Sequence, residues 1–261
     1  MGTSKRYVLA FDIHYPEHDD LSWRCVLDYT RKNDIDGFIF GGDQLDLACI
    51  SHHTASQPLY RPQGALRSNL DGFKKYILDP VDAALKPGTD KRFLMGNHEA
   101  WLTEQYKETN PELDGLLDLP DLLGLAERKY EVIQQGGHTQ IGKLYVIHGD
   151  TIGGGVNHAK KCVDVWARSV VYGHHHTLQS YTRTSPAHES ERWTAISLPC
   201  LSHTAPRYGR GRSNMWVNGF GVVDVRSGGA FNVNPVIITD GTCSLEGKTY
   251  TGKRSHHKRG A

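Results

Sequence analysis

The sequence predicts an α/β protein: two mixed β-sheets packed face to face, with helices on the outside. Three observations carry that expectation. The first half alternates short apolar, β-branched runs with stretches of helical periodicity. The second half is mostly closely spaced strand-like segments with a single helix among them. Five polar motifs each follow an apolar run, where a buried strand gives way to its loop and open α/β sheets place their chemistry.

The continuous apolar run at 7–11 reads as a strand buried on both faces. Asp19 and Asp20 open a helix through Leu21, Val26, Leu27 and Tyr29, and 37–40 is the next strand, so a right-handed β-α-β crossover begins the fold. A second helix over about 66–85 ends at Pro87-Gly88, ahead of a strand at 92–95. From Glu99 to Ala126 the reading is helical, a cap beside the site at about 99–127, with Pro111 and Pro120 in first turns. Strands are then expected at 130–134, 138–141, 144–147, 170–172, 178–182, 194–198, 219–225 and 231–238, most with hairpin-like spacing, and a helix at 156–167. These make one domain over 1–245, followed by a basic, flexible tail over 246–261.

At 261 residues the chain can bury about three quarters of its unfolded surface without disulfide staples. Cys25, Cys49, Cys162, Cys200 and Cys243 are odd in number and lack CxxC spacing, against a disulfide framework or a thiolate zinc site and in favour of a reducing compartment. No apolar signal core or membrane-length run is visible, so a cytoplasmic protein with no membrane partner is expected. A net charge of +1 gives no global pull toward nucleic acid. Locally, Arg207, Arg210 and Arg212 beside Tyr208 suit phosphate contact and base stacking, or simply form a solvated basic loop.

The motifs are Asp12-Ile13-His14, Gly41-Gly42-Asp43-Gln44-Leu45-Asp46, Gly96-Asn97-His98-Glu99, His148-Gly149-Asp150 and Gly173-His174-His175-His176. In extended geometry Asp12 and His14 share a face, as do His174 and His176, while His175 points away. Taken singly, each has a bland reading: a surface pair, an Asp-Gly turn, Asn97 as a helix N-cap ahead of Glu99, a hydrogen-bonded core histidine. Five ligand-bearing turns after five strands are not independent accidents. Together they offer oxygen and imidazole ligands enough for two metal ions.

In this order the motifs resemble those of the calcineurin-like metallophosphoesterases, over residues 7 to about 225. More narrowly, 93–125 and 199–223 look like a phage and prophage group of that family, which would place the protein in a host cytoplasm. The resemblance implies the metallophosphoesterase fold, with Asp12, His14, Asp43 and His176 on one ion and Asp43, Asn97, His148 and His174 on the other. Two divalent ions are implied, manganese first, with iron, zinc or nickel as alternatives. It further implies hydrolysis of a phosphate ester by a hydroxide the ions activate, with His98 as general acid and Asp46 orienting it and favouring its charged form.

Phosphodiesters, including DNA, RNA or nucleotide derivatives, are the favoured substrates, and His52, His53, Arg207, Arg210 and Arg212 are candidate substrate contacts. The alternative is a phosphomonoesterase or protein phosphatase. Asp46 is followed by Leu47-Ala48 where protein phosphatases of the family continue Arg-Gly, which removes one phosphate-binding arginine. A non-catalytic scaffold is the remote third reading, disfavoured because every ligand position is filled.

Overall fold

The computed structural model describes residues 4–51, 65–188, 191–205 and 214–253. Along the first strand, β1 (Lys5–Ala10), alternate side chains enter two different cores. Tyr7 and Leu9, with Phe11 just beyond, join one cluster, and Val8 and Ala10 join another. That division sets the layers of the molecule.

The chain runs from β1 through α1 (Asp20–Lys32) to β2 (Gly37–Phe40), then through α2 (Ala65–Phe73), a π-helical turn (Lys74–Leu78) and α3 (Asp79–Ala84) to β3 (Asp90–Leu94). Short helical pieces follow: α4 (Asn97–Ala100), a π-helical turn (Trp101–Gln105), α5 (Tyr106–Thr109), a 3-10 turn (Pro111–Leu113) and α6 (Leu119–Leu123). Next come β4 (Glu131–Ile133), β5 (Thr139–Ile141), β6 (Leu144–Val146), α7 (His158–Trp166), β7 (Val170–Tyr172), β8 (Gln179–Thr184) and β9 (Arg192–Ser197). The last strands are β10 (Gly219–Val225), β11 (Phe231–Ile237), β12 (Thr242–Leu245) and β13 (Lys248–Thr251).

One sheet has the order β11-β10-β1-β2-β3-β4, with β1 to β4 parallel and β10 and β11 antiparallel. The other has the order β5-β6-β7-β9-β8, with β6, β7 and β9 parallel and antiparallel strands at both edges. Tyr7, Leu9, Phe11, Ile39 and Leu94 meet Ile141, Leu144, Val146, Val171, Ile196 and Leu198 between the sheets. Val8, Ala10, Phe38, Phe40 and Phe93 pack on Trp23 and Val26 of α1 and on Phe73 and Ile77. Cys162 and Val163 of α7 cover Val170, Tyr172 and Ala195 on the far side. The result is the expected α-β-β-α sandwich.

The second half pairs mostly antiparallel, as its hairpin-like spacing suggests, but α7 and the β8 excursion each return the chain in the same direction, giving the second sheet a parallel centre. The stretch from Glu99 is made of short helical pieces, with Pro111 and Pro120 in first turns as expected; α6 is capped by the Asp118 side chain and ended at Gly124 in the left-handed conformation. The segment after Leu245 is not wholly a tail, since β12 and β13 form a hairpin through Glu246 and Gly247, both at positive φ as a two-residue turn of the I′ kind requires. Tyr250 of that hairpin is buried against Tyr29 of α1. Residues 254–261 lie outside the described residues.

Candidate metal centre

Every motif sits just past the C-terminal end of a strand. Asp12 and His14 follow β1, Asp43 follows β2, Asn97 and His98 follow β3, His148 follows β6, and His174 and His176 follow β7. Because β1, β2 and β3 are parallel neighbours in one sheet and β6 and β7 in the other, five loops emerge at the same end of the sandwich. Beyond the strands the loops pair with one another: Asp12 N–H donates to the Gly42 carbonyl at 3.1 Å, and His14 N–H to the Asp43 carbonyl at 3.0 Å.

Two clusters result. Asp12, His14 and His176 present ligand atoms within 4.8 Å of one another, as do Asp43, His148 and His174. Asp43 joins them, its Oδ2 lying 3.2 Å from His148 Nε2 and 3.9 Å from His14 Nε2. Asn97 Oδ1 is 3.1 Å from His148 Nε2. A third grouping, His14, Asp46 and His98, shares His14 with the first.

Asp12, His14, Asp43, His174 and His176 all have positive φ, between 52° and 66°. Each such residue costs on the order of 1–3 kcal/mol and persists only where its surroundings over-determine it. This corrects the expectation that strand alternation aims these side chains. Asp12 and His14 converge because the chain twists out of the strand at both, and His174 and His176 do likewise. The motif glycines are needed for close approach: a Cβ on Gly96 would strike the Asp43 carboxylate, and one on Gly173 the Asp12 carboxylate.

The donor set fits cations. Asp12 is fully buried; its Oδ2 accepts from His174 N–H at 2.8 Å, while its Oδ1 has no hydrogen-bond partner. His174 Nδ1 and His176 Nδ1 are likewise buried and unpartnered. His14 Nε2 and His176 Nε2 face each other at 3.1 Å. His148 Nδ1–H donates to the Gly41 carbonyl at 3.1 Å, which fixes the tautomer and leaves the Nε2 lone pair pointing at the oxygens of Asn97 and Asp43. Buried polar atoms left this way are costly unless a proton or a cation lies between them.

Electrostatics agree. Burial opposes ionisation of Asp43, but the charge of His148, the proximity of His98 and the hydrogen bond to His148, with the charge of His14, outweigh it and hold the carboxyl well below the usual range. Asp12 is lowered similarly, burial being overcome by His176. Against the pull of burial, Asp43 lifts His148 to about 10, and the Asp46 hydrogen bond with the Asp43 and Asp46 charges lifts His14 to about 9. Metal-free, the cluster draws protons to where cations would sit.

His98 is arranged differently from the expectation. Its Nδ1–H donates to the main-chain carbonyl of Asp46 at 2.7 Å, whereas the Asp46 carboxylate lies 3.9 Å from that nitrogen and 3.5 Å from His14 Nδ1. The side chain of Asp46 therefore serves His14. Burial lowers the pKa of His98 despite Asp43 and Asp46, so its charged form is not favoured. The ring is stacked on Trp101, centroids 3.9 Å apart, and meets His14 edge-on at 4.5 Å.

Glu99 is a participant that the sequence reading treats only as a helix start. Its wholly buried carboxylate accepts from the N–H groups of Asp43 at 3.0 Å, Gln44 at 2.7 Å, Leu45 at 2.9 Å and Gly96 at 2.7 Å. It thus ties the loop after β3 to the loop after β2. Burial, then the Asp43 charge, push its carboxyl up to about 7 against those donors. The helix N-cap is Gly96 rather than Asn97, which leaves the Asn97 side chain free for His148. An acidic residue two past Asn97 was the available signal, but a first-turn Glu is ordinary in helices.

His52, His53, Arg207, Arg210 and Arg212 lie outside the described residues. Among the described residues no helix is long and apolar enough to cross a membrane.

No protein-family model matches the chain, and no curated protein matches it. Similar solved structures include Vps29 from Entamoeba histolytica complexed with zinc, 10% identical, covering 95% of this chain and 99% of that chain with a TM-score of 0.47. A metallophosphoesterase from Sphaerobacter thermophilus is 14% identical, covering 84% of this chain and 83% of that chain with a TM-score of 0.43. A dimetal phosphatase from Danio rerio is 13% identical, covering 88% of this chain and 98% of that chain with a TM-score of 0.41.

Proposed function

We propose that the protein is a two-metal phosphoesterase, and the observation that carries this is Asp43, whose Oδ2 faces histidines of both clusters. In this reading Asp12, His14, Asp43 and His176 hold one divalent ion, and Asp43, Asn97, His148 and His174 the other, with manganese the first candidate and iron, zinc or nickel the alternatives. Bound there, such ions supply Lewis acidity toward a phosphoryl oxygen and a water of lowered pKa.

The chain's own residues do the rest. Asp12 and Asp43 each have one carboxylate oxygen fixed by a backbone N–H, from His174 at 2.8 Å and from His98 at 2.9 Å, so the other oxygen is aimed without rotational freedom. His98 has Nδ1–H anchored on the Asp46 carbonyl, so Nε2 is the nitrogen turned to the leaving oxygen; burial keeps the ring mostly neutral, and the protonated fraction that does form is the stronger acid for it. Trp101 and His14 hold that ring in plane. Asp46 orients His14, supporting the ligand rather than the acid.

A phosphodiester is the favoured substrate. Among the described residues, the strongest influences on Asp12, Asp43, His14, His98 and His148 are burial and the site's own aspartates and histidines, with no lysine or arginine among them. A singly charged diester asks for less countercharge than a doubly charged monoester. The basic segment with Arg207, Arg210 and Arg212 suits a nucleic-acid or nucleotide diester in particular.

The test is hydrolysis by manganese-loaded protein of chromogenic mono- and diesters alongside single- and double-stranded DNA and RNA. The reading expects diester turnover above monoester turnover, abolished by chelation and restored by manganese. Undiminished turnover after chelation would overturn the metal mechanism, and monoester turnover above diester would overturn the substrate class.

A further inference from the structure

His158 of α7 is buried, 2% exposed, and both of its ring nitrogens are engaged. Nδ1 lies 2.7 Å from the Tyr172 hydroxyl and Nε2 lies 2.9 Å from the Thr177 hydroxyl. Tyr172 is the last residue of β7, immediately before Gly173; Thr177 is the first residue after His176. One imidazole therefore spans both ends of the turn that carries His174 and His176. Since hydroxyls donate or accept, a neutral ring is satisfied on both sides in either tautomer.

The middle of the turn is held by the same residue. His175 turns toward α7, its ring 4.2 Å from that of His158, centroid to centroid. Ser197 Oγ donates to the Thr177 carbonyl at 2.7 Å, fixing the exit strand side. Between these anchors His174 and His176 sit at φ of 66° and 57°, a conformation histidine does not keep without restraint.

We propose that His158 is a positioning residue that clasps Tyr172 to Thr177 and so holds the 173–176 turn in the one conformation that delivers His174 and His176 to the candidate metal pair. Its value to the protein rests on the two-metal reading. Residues that orient ligands from behind typically change metal affinity by about 10- to 100-fold.

The experiment uses the full chain and two variants, His158→Leu and the Tyr172→Phe/Thr177→Val pair, which removes both hydroxyls and leaves His158 in place. Amide hydrogen exchange on the metal-free protein and calorimetric titration with manganese are the readouts. The inference expects protection at residues 174–177 to fall about tenfold or more with β1 and β2 unchanged, and manganese affinity to fall about 10- to 100-fold. Unchanged exchange at 174–177 in both variants overturns it, as does uniform loss of protection throughout the chain, which would make His158 merely structural. Should the double variant not fold, Thr177→Val alone severs one arm and is read the same way. If the wild-type chain takes up no manganese, the metal reading fails, while the exchange result still decides the clasp.

Discussion

Replacing Glu99 by glutamine tests whether this buried carboxylate holds the loop that carries Asp43. Oε2 accepts from Asp43 and Gly96, and Oε1 from Gln44 and Leu45. A carboxamide keeps one oxygen, so whichever way it turns, two N–H donors meet an NH2 group. Each buried donor left unsatisfied costs about 1–3 kcal/mol, or about 2–6 kcal/mol for two. Removing a buried charge beside Asp43 offsets part of this, leaving an expected net loss of about 2–4 kcal/mol. With m of about 2–3 kcal/mol/M, the urea midpoint of the metal-free protein should drop by about 1–2 M at unchanged m. Metal affinity should fall by about 10- to 100-fold because the Asp43 loop loses its tie. A midpoint shift under about 0.2 M with unaltered metal affinity would refute the reasoning.

Two further outcomes follow from the same geometry. His98→Ala should retain both ions by elemental analysis yet lose about 10²- to 10⁴-fold in rate on substrates with poor leaving groups, and much less on nitrophenyl esters; equal losses on both would remove it from proton transfer. Burial, with the Lys161 charge, holds His158 down at about 4, so the folded state resists a proton that the unfolded state accepts from about pH 6.5 downward. The stability it contributes is full above about pH 6.5 and is lost as pH falls toward 4, by up to about 3 kcal/mol. Urea midpoints from pH 7 to 4.5 should fall more steeply for wild type than for His158→Gln, and parallel curves would contradict the assignment.

The layers were legible because periodicity reports burial directly. The run 7–11 announces a strand covered on both faces, and Tyr7, Leu9 and Phe11 do face the second sheet while Val8 and Ala10 face the helices. Strand direction in the second sheet was not legible: short runs such as Val170–Tyr172 pair equally well either way until the intervening helix fixes the sense. The hairpin of β12 and β13 was hidden because its exposed face is polar and the inner one is marked by little more than Cys243, Leu245 and Tyr250.

At the site, residue type named the ligand candidates, but local geometry did not follow from it. Left-handed conformations at Asp12, His14, His174 and His176 are disfavoured locally and are imposed by pairing between loops far apart in sequence. The same distance hid Glu99, whose partners Asp43, Gln44 and Leu45 are more than fifty residues away. It also misled the reading of Asp46, whose carbonyl rather than carboxylate reaches His98. Side-chain chemistry is written in the sequence, whereas a main-chain acceptor is not.

The central claim is that Asp43 joins two metal positions. Metal content and manganese titration of the wild-type chain beside Asp43→Asn, Asp12→Asn and His148→Ala test it most directly. The account predicts two ions per chain in the wild type, loss of tight binding at one position in each of the last two variants, and loss at both in Asp43→Asn. A wild type that takes up one ion or none, or an Asp43→Asn protein that still binds two with unchanged affinity, would contradict it.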